Sequence, residues 1–152
     1  MIARFIAGLT ALPQVWLLPF ALAGLALGRI FPFGPSPPMR GGGLFLVALA
    51  LGLMLWAALT MRAARTTVMP GRRPEHLVTN GPFRFSRNPI YLGDLIGLAG
   101  LMLALDAPAG LLVVPGFALL LEHRFIRQEE AVIAAAFGPA YEDYRSRVRR
   151  WI

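Results

Sequence analysis

Side chains able to do chemistry crowd into two short stretches of the 152-residue chain, Thr66 to Asp94 and Glu122 to Glu130. In the first, Glu75-His76-Leu77-Val78-Thr79-Asn80-Gly81-Pro82-Phe83 runs into Arg87-Asn88-Pro89-Ile90-Tyr91. Asn80-Gly81 is a tight-turn pair, because glycine accepts positive φ and leaves its amides approachable. Asn88-Pro89 predicts a helix start, with Asn as the N-cap and Pro at the first helical position. Such a start carries unpaired amides and the positive end of a dipole, which suits a carboxylate. The plainer reading is that these residues only turn the chain and cap a helix. Asn88 and Tyr91, three residues apart, share one side of it, and Gly93 admits close approach of a backbone or a ligand.

The second stretch sets Glu129-Glu130 behind His123, Arg124 and Arg127. Adjacent carboxylates on a helix point about 100° apart, so they serve different targets. One is expected to face a cofactor or a substrate cation. The other is expected to pair with Arg124, Arg127 or an Arg of the segment before Asn88. Adjacent acids that merely solubilise a helix are the alternative. Asp94, costly if it faces lipid, is expected to bond inside the bundle or reach toward the interface.

Composition narrows the chemistry. There is no cysteine, so disulfides, thiolate catalysis and Cys-built metal sites are excluded, and His76 and His123 are the only imidazoles. No metal site is expected. A net charge of +7 suggests nucleic acid in a soluble chain, but these basic residues, all Arg, flank apolar runs instead of forming a solvated face with stacking aromatics. No nucleic-acid partner is expected.

The elements that must position these groups are apolar. With 57% apolar and 15% charged residues the chain reads as an all-α integral membrane protein in one domain, 1–152. No charge interrupts Arg4 to Arg29 or Arg40 to Arg62, and each gap can cross a hydrocarbon core of about 30 Å. A third apolar stretch is broken by Asp106-Ala107-Pro108-Ala109-Gly110, a turn signal that makes a helical hairpin of its halves. About four transmembrane helices are expected, near 5–29, 42–64, 89–105 and 109–136. A removed signal peptide is the lesser reading of the N-terminus. After Phe137-Gly138-Pro139, the residues Tyr141, Tyr144, Val148 and Trp151 recur at helical spacing, predicting an amphipathic helix near 139–150 that lies in the membrane interface or packs on its own protein. Arg residues concentrate in 62–88 and after 123, while Arg29 and Arg40 flank the loop between the first two helices. That bias predicts both termini in the cytosol, in a bacterial inner membrane.

Three motifs in order, Leu77-Val78-Thr79-Asn80-Gly81-Pro82-Phe83, Arg87-Asn88-Pro89-Ile90-Tyr91-Leu92-Gly93, and Glu129-Glu130 followed by Phe137-Gly138-Pro139-Ala140-Tyr141, carry a resemblance. Over roughly residues 62 to 152 the chain resembles the isoprenylcysteine carboxyl methyltransferase family and its bacterial and phospholipid N-methyltransferase relatives. The resemblance implies S-adenosylmethionine as cofactor, leaving as S-adenosylhomocysteine, in a pocket closed by the C-terminal segment and open sideways to lipid. It implies a cofactor site of Glu75, His76, Leu77 and Val78, then Gly81 and Phe83, then Asn88, Pro89, Ile90 and Tyr91. Arg124, Arg127, Glu129 and Glu130 would lie at the reacting end. Asn88 departs from the His usual in the carboxyl methyltransferases, which bears on the substrate more than on fold or cofactor.

The expected function is methyl transfer to a lipophilic acceptor at the cytosolic membrane face, with membrane lipid as partner. A prenylated-cysteine carboxylate, a lipid headgroup and a small lipophilic thiol or quinone-like molecule all remain open as acceptors. The alternatives are a small four-helix multidrug or cation transporter and a non-catalytic relative of the methyltransferases.

Overall fold

Among the described residues, proline starts every long helix. It stands at the first turn of α1 (Pro13–Ile30), α2 (Pro37–Ala63), α3 (Pro89–Ala104), α4 (Pro108–Phe137) and α5 (Pro139–Arg147). Its missing N–H costs nothing there, and its fixed φ already suits a helix. The structure is a computed structural model that describes residues 12–34, 36–66 and 75–152. The expected start of the first helix at residue 5, and Arg72 and Arg73, lie outside the described residues. Among them, α1, α2 and α4 are long and apolar enough to cross a membrane. The chain is an all-helical integral membrane protein. α3 has 16 residues, about 24 Å at 1.5 Å each, and is shorter than a hydrocarbon core.

The helices meet through small residues. The buried positions of α2 are Gly43, Ala50 and Ala57, seven apart and therefore on one face. Opposite stand Gly93, Gly97 and Gly100 of α3. A methyl group placed on Gly43 would lie 2.3 Å from the backbone nitrogen of Ala104 and 2.6 Å from the carbonyl oxygen of Gly100. The backbones of α2 and α3 are thus nearly in contact, a packing mode that serves helices in lipid, where burying apolar surface drives little association. In α1, Gly24 and Gly28 do the same against Met102, Ala107 and Gly110. The other side of α2 exposes Leu44, Phe45, Leu51, Leu55 and Leu59, the expected face for acyl chains.

The predicted turn between α3 and α4 also fastens the far end of the bundle. Asp106 sits at φ +54°, a left-handed conformation that Asp tolerates better than most residues. Its carboxylate accepts the N–H of Ser36, which precedes α2, at 3.3 Å and pairs with Arg40. The Arg40 guanidinium, and after it the Ser36 N–H, hold the Asp106 carboxyl below the usual carboxylate range.

α4 is continuous from Pro108 to Phe137 but not uniform. It opens with a 3₁₀ turn, Pro108–Leu112, and contains a π turn at Glu122–Ile126. α5 ends at Arg147, three residues short of the expected boundary, because Val148 turns extended and leads the chain back across the bundle.

Close packing at Gly43 makes a sharp prediction. Gly43→Ala should lower stability in detergent by about 1–3 kcal/mol, the cost of overpacking, read as a reduced melting temperature. Gly52→Ala, where an added methyl meets nothing within 4 Å, should leave the melting temperature unchanged or raise it.

Candidate functional site

The π turn decides where the acids of α4 point. Glu122 and Glu130 are eight residues apart, which in an uninterrupted α-helix leaves them about 80° apart. A π turn absorbs one extra residue and brings them to within about 20°. Both meet the Arg150 guanidinium, Glu122 at 2.7 Å and Glu130 at 2.7 Å. Glu129 is turned away by the same geometry and accepts the hydroxyl proton of Tyr91 at 2.6 Å.

Glu130 is the junction of three segments. Arg87, from the loop before α3, reaches it at 2.9 Å with a side chain only 9% exposed. Arg150, from the tail, reaches it from another side, and the pairing with Glu130 raises the pKa of that guanidinium. The tail is further sewn down through its backbone. The Arg87 N–H donates to the Arg149 carbonyl at 3.0 Å. The Ser86 hydroxyl and the Asn88 side-chain amide both donate to the Arg150 carbonyl, at 3.2 and 3.1 Å. The N–H of Asn88 goes to the Ser86 hydroxyl at 3.1 Å. The helix start expected at Asn88-Pro89 is present, but Asn88 spends its side chain on the tail.

α5 closes the next side. Tyr141 and Tyr144 are buried on the protein, and Tyr144 donates to the Phe83 carbonyl at 2.7 Å. Burial pushes both phenols up, so they stay protonated donors. Of the two readings of this amphipathic helix, packing on the protein describes its tyrosines, while Glu142, Asp143, Arg145 and Arg147 face outward.

Between these elements lies a recess with about 520 Å³ of unfilled space, its open mouth included. One wall is His76, Leu77, Val78 and Phe83; another is Glu129, Glu130, Ile133 and Phe137; Arg87, Asn88, Tyr141 and Tyr144 complete the floor and the tail side. Thr66 fixes the first wall by accepting the N–H groups of Glu75 and His76, at 3.2 and 3.5 Å.

The residues singled out from the sequence are distributed as follows. His76, Leu77, Val78, Phe83, Asn88, Glu129 and Glu130 line the recess. Tyr91 stands behind Glu129, and Pro89 is buried in the first turn of α3. Glu75 is exposed beside His76, and Ile90 is half-buried outside the lining. Gly81, at φ +57°, presses against Thr60 of α2. Arg124 and Arg127 are exposed on α4, Arg124 over the Trp16 ring at 5.3 Å and Arg127 on Glu122 at 3.0 Å. Asp94 is buried with Gln14 at 3.5 Å. Sequence reasoning passed over Arg87, Tyr141, Tyr144 and Arg150 as site residues. Of these Arg87 carried a signal, as the central-segment Arg available to one of the two acids, and Tyr141 another, as the end of the third motif.

Comparison with known proteins matches a family model described as phospholipid methyltransferase to residues 39–140. The chain is 32% identical over 137 residues to the cobalt-zinc-cadmium resistance protein CzcN of Cupriavidus metallidurans, covering 88% of this chain and 59% of that protein. It is 29% identical over 106 residues to the nickel-cobalt-cadmium resistance protein NccN of Alcaligenes xylosoxydans xylosoxydans, covering 69% of this chain and 45% of that protein. The chain spans about half the length of these curated relatives. Matched by the family model over more than half its length, it belongs to the phospholipid methyltransferase family.

The junction predicts its own weak point. Arg150→Ala removes contacts to Glu122 and Glu130, and hydrogen bonds to charged groups are worth about 1.5–3 kcal/mol each at most. Amide hydrogen exchange of residues 148–152 and of the Arg87 N–H should accelerate at least tenfold, while α2 exchanges as before. Unchanged exchange in the tail would mean that the guanidinium does not hold it.

Proposed function

We propose that this member of the phospholipid methyltransferase family is a membrane methyltransferase that uses S-adenosylmethionine, bound in the recess, to methylate a lipophilic acceptor. The observation that carries the reading is the meeting of residues 76–78, 83, 87–88 and 129–130, distant in sequence, around one recess at the Arg-rich end of a greasy bundle. The lining suits such a cofactor: apolar walls from Leu77, Val78, Phe83, Ile133 and Phe137, carboxylates for a cationic centre, and buried donors at Arg87 and Tyr141 without acceptors among the described residues. The remaining assigned cofactor residues, Glu75, Gly81, Pro89, Ile90 and Tyr91, act by shaping the loop and the α3 start that form the wall.

S-adenosylmethionine supplies an electrophilic methyl carbon on a sulfonium. The chain's own task is to hold the acceptor in line with it and keep water out. The apolar walls exclude water, and Tyr91 fixes Glu129 by its 2.6 Å hydrogen bond. A carboxylate or thiolate acceptor needs no base, whereas an ammonium headgroup must first lose a proton, for which Glu129 is placed at the recess wall. Arg124 and Arg127, on the exposed side of α4, meet an anionic acceptor arriving from lipid. The Arg bias toward this end supports a cytosolic recess and cytosolic termini in a bacterial inner membrane.

A second reading, a small cation carrier, draws on the metal-resistance names of the two relatives. Its cation would need a buried acid, and Asp94 is the acid inside α3. Cation uptake into vesicles by a chain that does not bind the cofactor would favour it. Cofactor binding without any methylated product would instead mark a non-catalytic relative.

The test is calorimetric titration of S-adenosylhomocysteine into the purified chain in detergent. Binding to the unmodified chain is expected, with a loss of tenfold or more in Glu130→Ala, which unpairs Arg87 and leaves Arg150 on Glu122 alone, and in Asn88→Ala, which removes a side-chain bond to the tail. No binding to the unmodified chain would sink the reading.

A further inference from the structure

Three buried donors in the recess have no acceptor among the described residues: Nε and Nη1 of Arg87 and the hydroxyl of Tyr141. Unpaired buried donors are rare, because each forfeits its hydration without replacement. Neither side chain is loose. Arg87 is anchored through Nη2 on Glu130, and Tyr141 is 2% exposed. They come from separate elements, the loop before α3 and the first turn of α5, and both line the recess. The nearby carboxylates are already engaged, Glu130 by Arg87 and Arg150, and Glu129 by Tyr91. The neighbouring Asn88 amide is committed to the Arg150 carbonyl.

A guanidinium that can only donate and a neutral hydroxyl with its proton unspent complement a group with two or more anionic oxygens. The geometry points to an anion subsite at Arg87 and Tyr141 that takes a carboxylate or phosphate group within the recess. This rests on the methyltransferase reading for its principal source, the carboxylate at the amino-acid end of the cofactor; the phosphate of a lipid headgroup is the other source of the same chemistry. The subsite moves anion recognition from the α3 start, where Asn88 is spent on the tail, to the side chain one residue earlier and to α5. It also gives Glu130 a positioning role: by holding Nη2 it fixes the guanidinium whose Nε and Nη1 would bind the anion.

The experiment measures affinities of the full chain in detergent for three probes: S-adenosylhomocysteine, methylthioadenosine, which keeps the nucleoside and thioether but lacks the amino-acid end, and a short-chain phosphatidic acid. The variants are Arg87→Lys, which keeps a cation for Glu130, and Tyr141→Phe, which removes one oxygen. Each should weaken S-adenosylhomocysteine by roughly 10- to 100-fold, the value of a hydrogen bond to a charged group, and leave methylthioadenosine unchanged. A loss confined to phosphatidic acid supports the subsite with lipid phosphate as its occupant. Variants that bind all three probes as the unmodified chain does overturn the subsite, while S-adenosylhomocysteine binding by the unmodified chain preserves the methyltransferase reading. Failure of the unmodified chain to bind S-adenosylhomocysteine overturns that reading and the cofactor as occupant together.

Discussion

A partly buried carboxylate at the end of an apolar bundle must be paired, and Glu130 is paired twice, by Arg87 and by Arg150. That requirement organises everything near it. Arg87 brings the loop before α3 onto α4, and Arg150 brings the tail onto both. Once the two guanidinium groups are seated, the backbone of residues 149–150 lies where Arg87, Ser86 and Asn88 bond to it. The recess is the space that these three segments leave between them. Removing Glu130 would therefore strand the buried Arg87 guanidinium and leave Arg150 on Glu122 alone, as well as delete a wall.

The apolar part of the chain answers a different constraint. Helices in lipid gain little from burying leucines against each other, so α1, α2 and α3 keep their large side chains outward and press glycines and alanines together. The seam between α2 and α3 fixes where α3 begins, and that beginning carries Asn88 and Tyr91 into the site. At the other end, Asp106 ties the α3–α4 turn to the start of α2. Precision at the polar end is thus inherited from backbone contact along the seam.

Much of this was readable in the residues. The uncharged runs locate the helices, Asp106-Ala107-Pro108 locates the turn, and Asn88-Pro89 locates the start of α3. The proline signal read at Pro89 also stands at Pro13, Pro37, Pro108 and Pro139. Glu129 and Glu130 are assigned different partners by their 100° separation, and they have different partners. What local spacing does not reveal is long-range pairing. Arg150 lies 20 residues from Glu130 and 28 from Glu122, and only the π turn at Glu122–Ile126 brings those acids together. No composition rule announces that turn. Tyr141 and Tyr144 read as amphipathic spacing, which is the same pattern whether the apolar face meets lipid or protein. Arg124 and Arg127 flank the acids in sequence, yet they lie on the exposed side of α4.

Family membership, the recess and its buried donors converge on methyl transfer, while the relatives' names speak of metal resistance. The most direct measurement is to incubate membranes containing the chain with methyl-labelled S-adenosylmethionine and to identify labelled lipophilic products by mass spectrometry. The account predicts a labelled lipid or lipid-modified acceptor that is absent from membranes lacking the chain. Label confined to unreacted cofactor, with the chain folded and present, would contradict it.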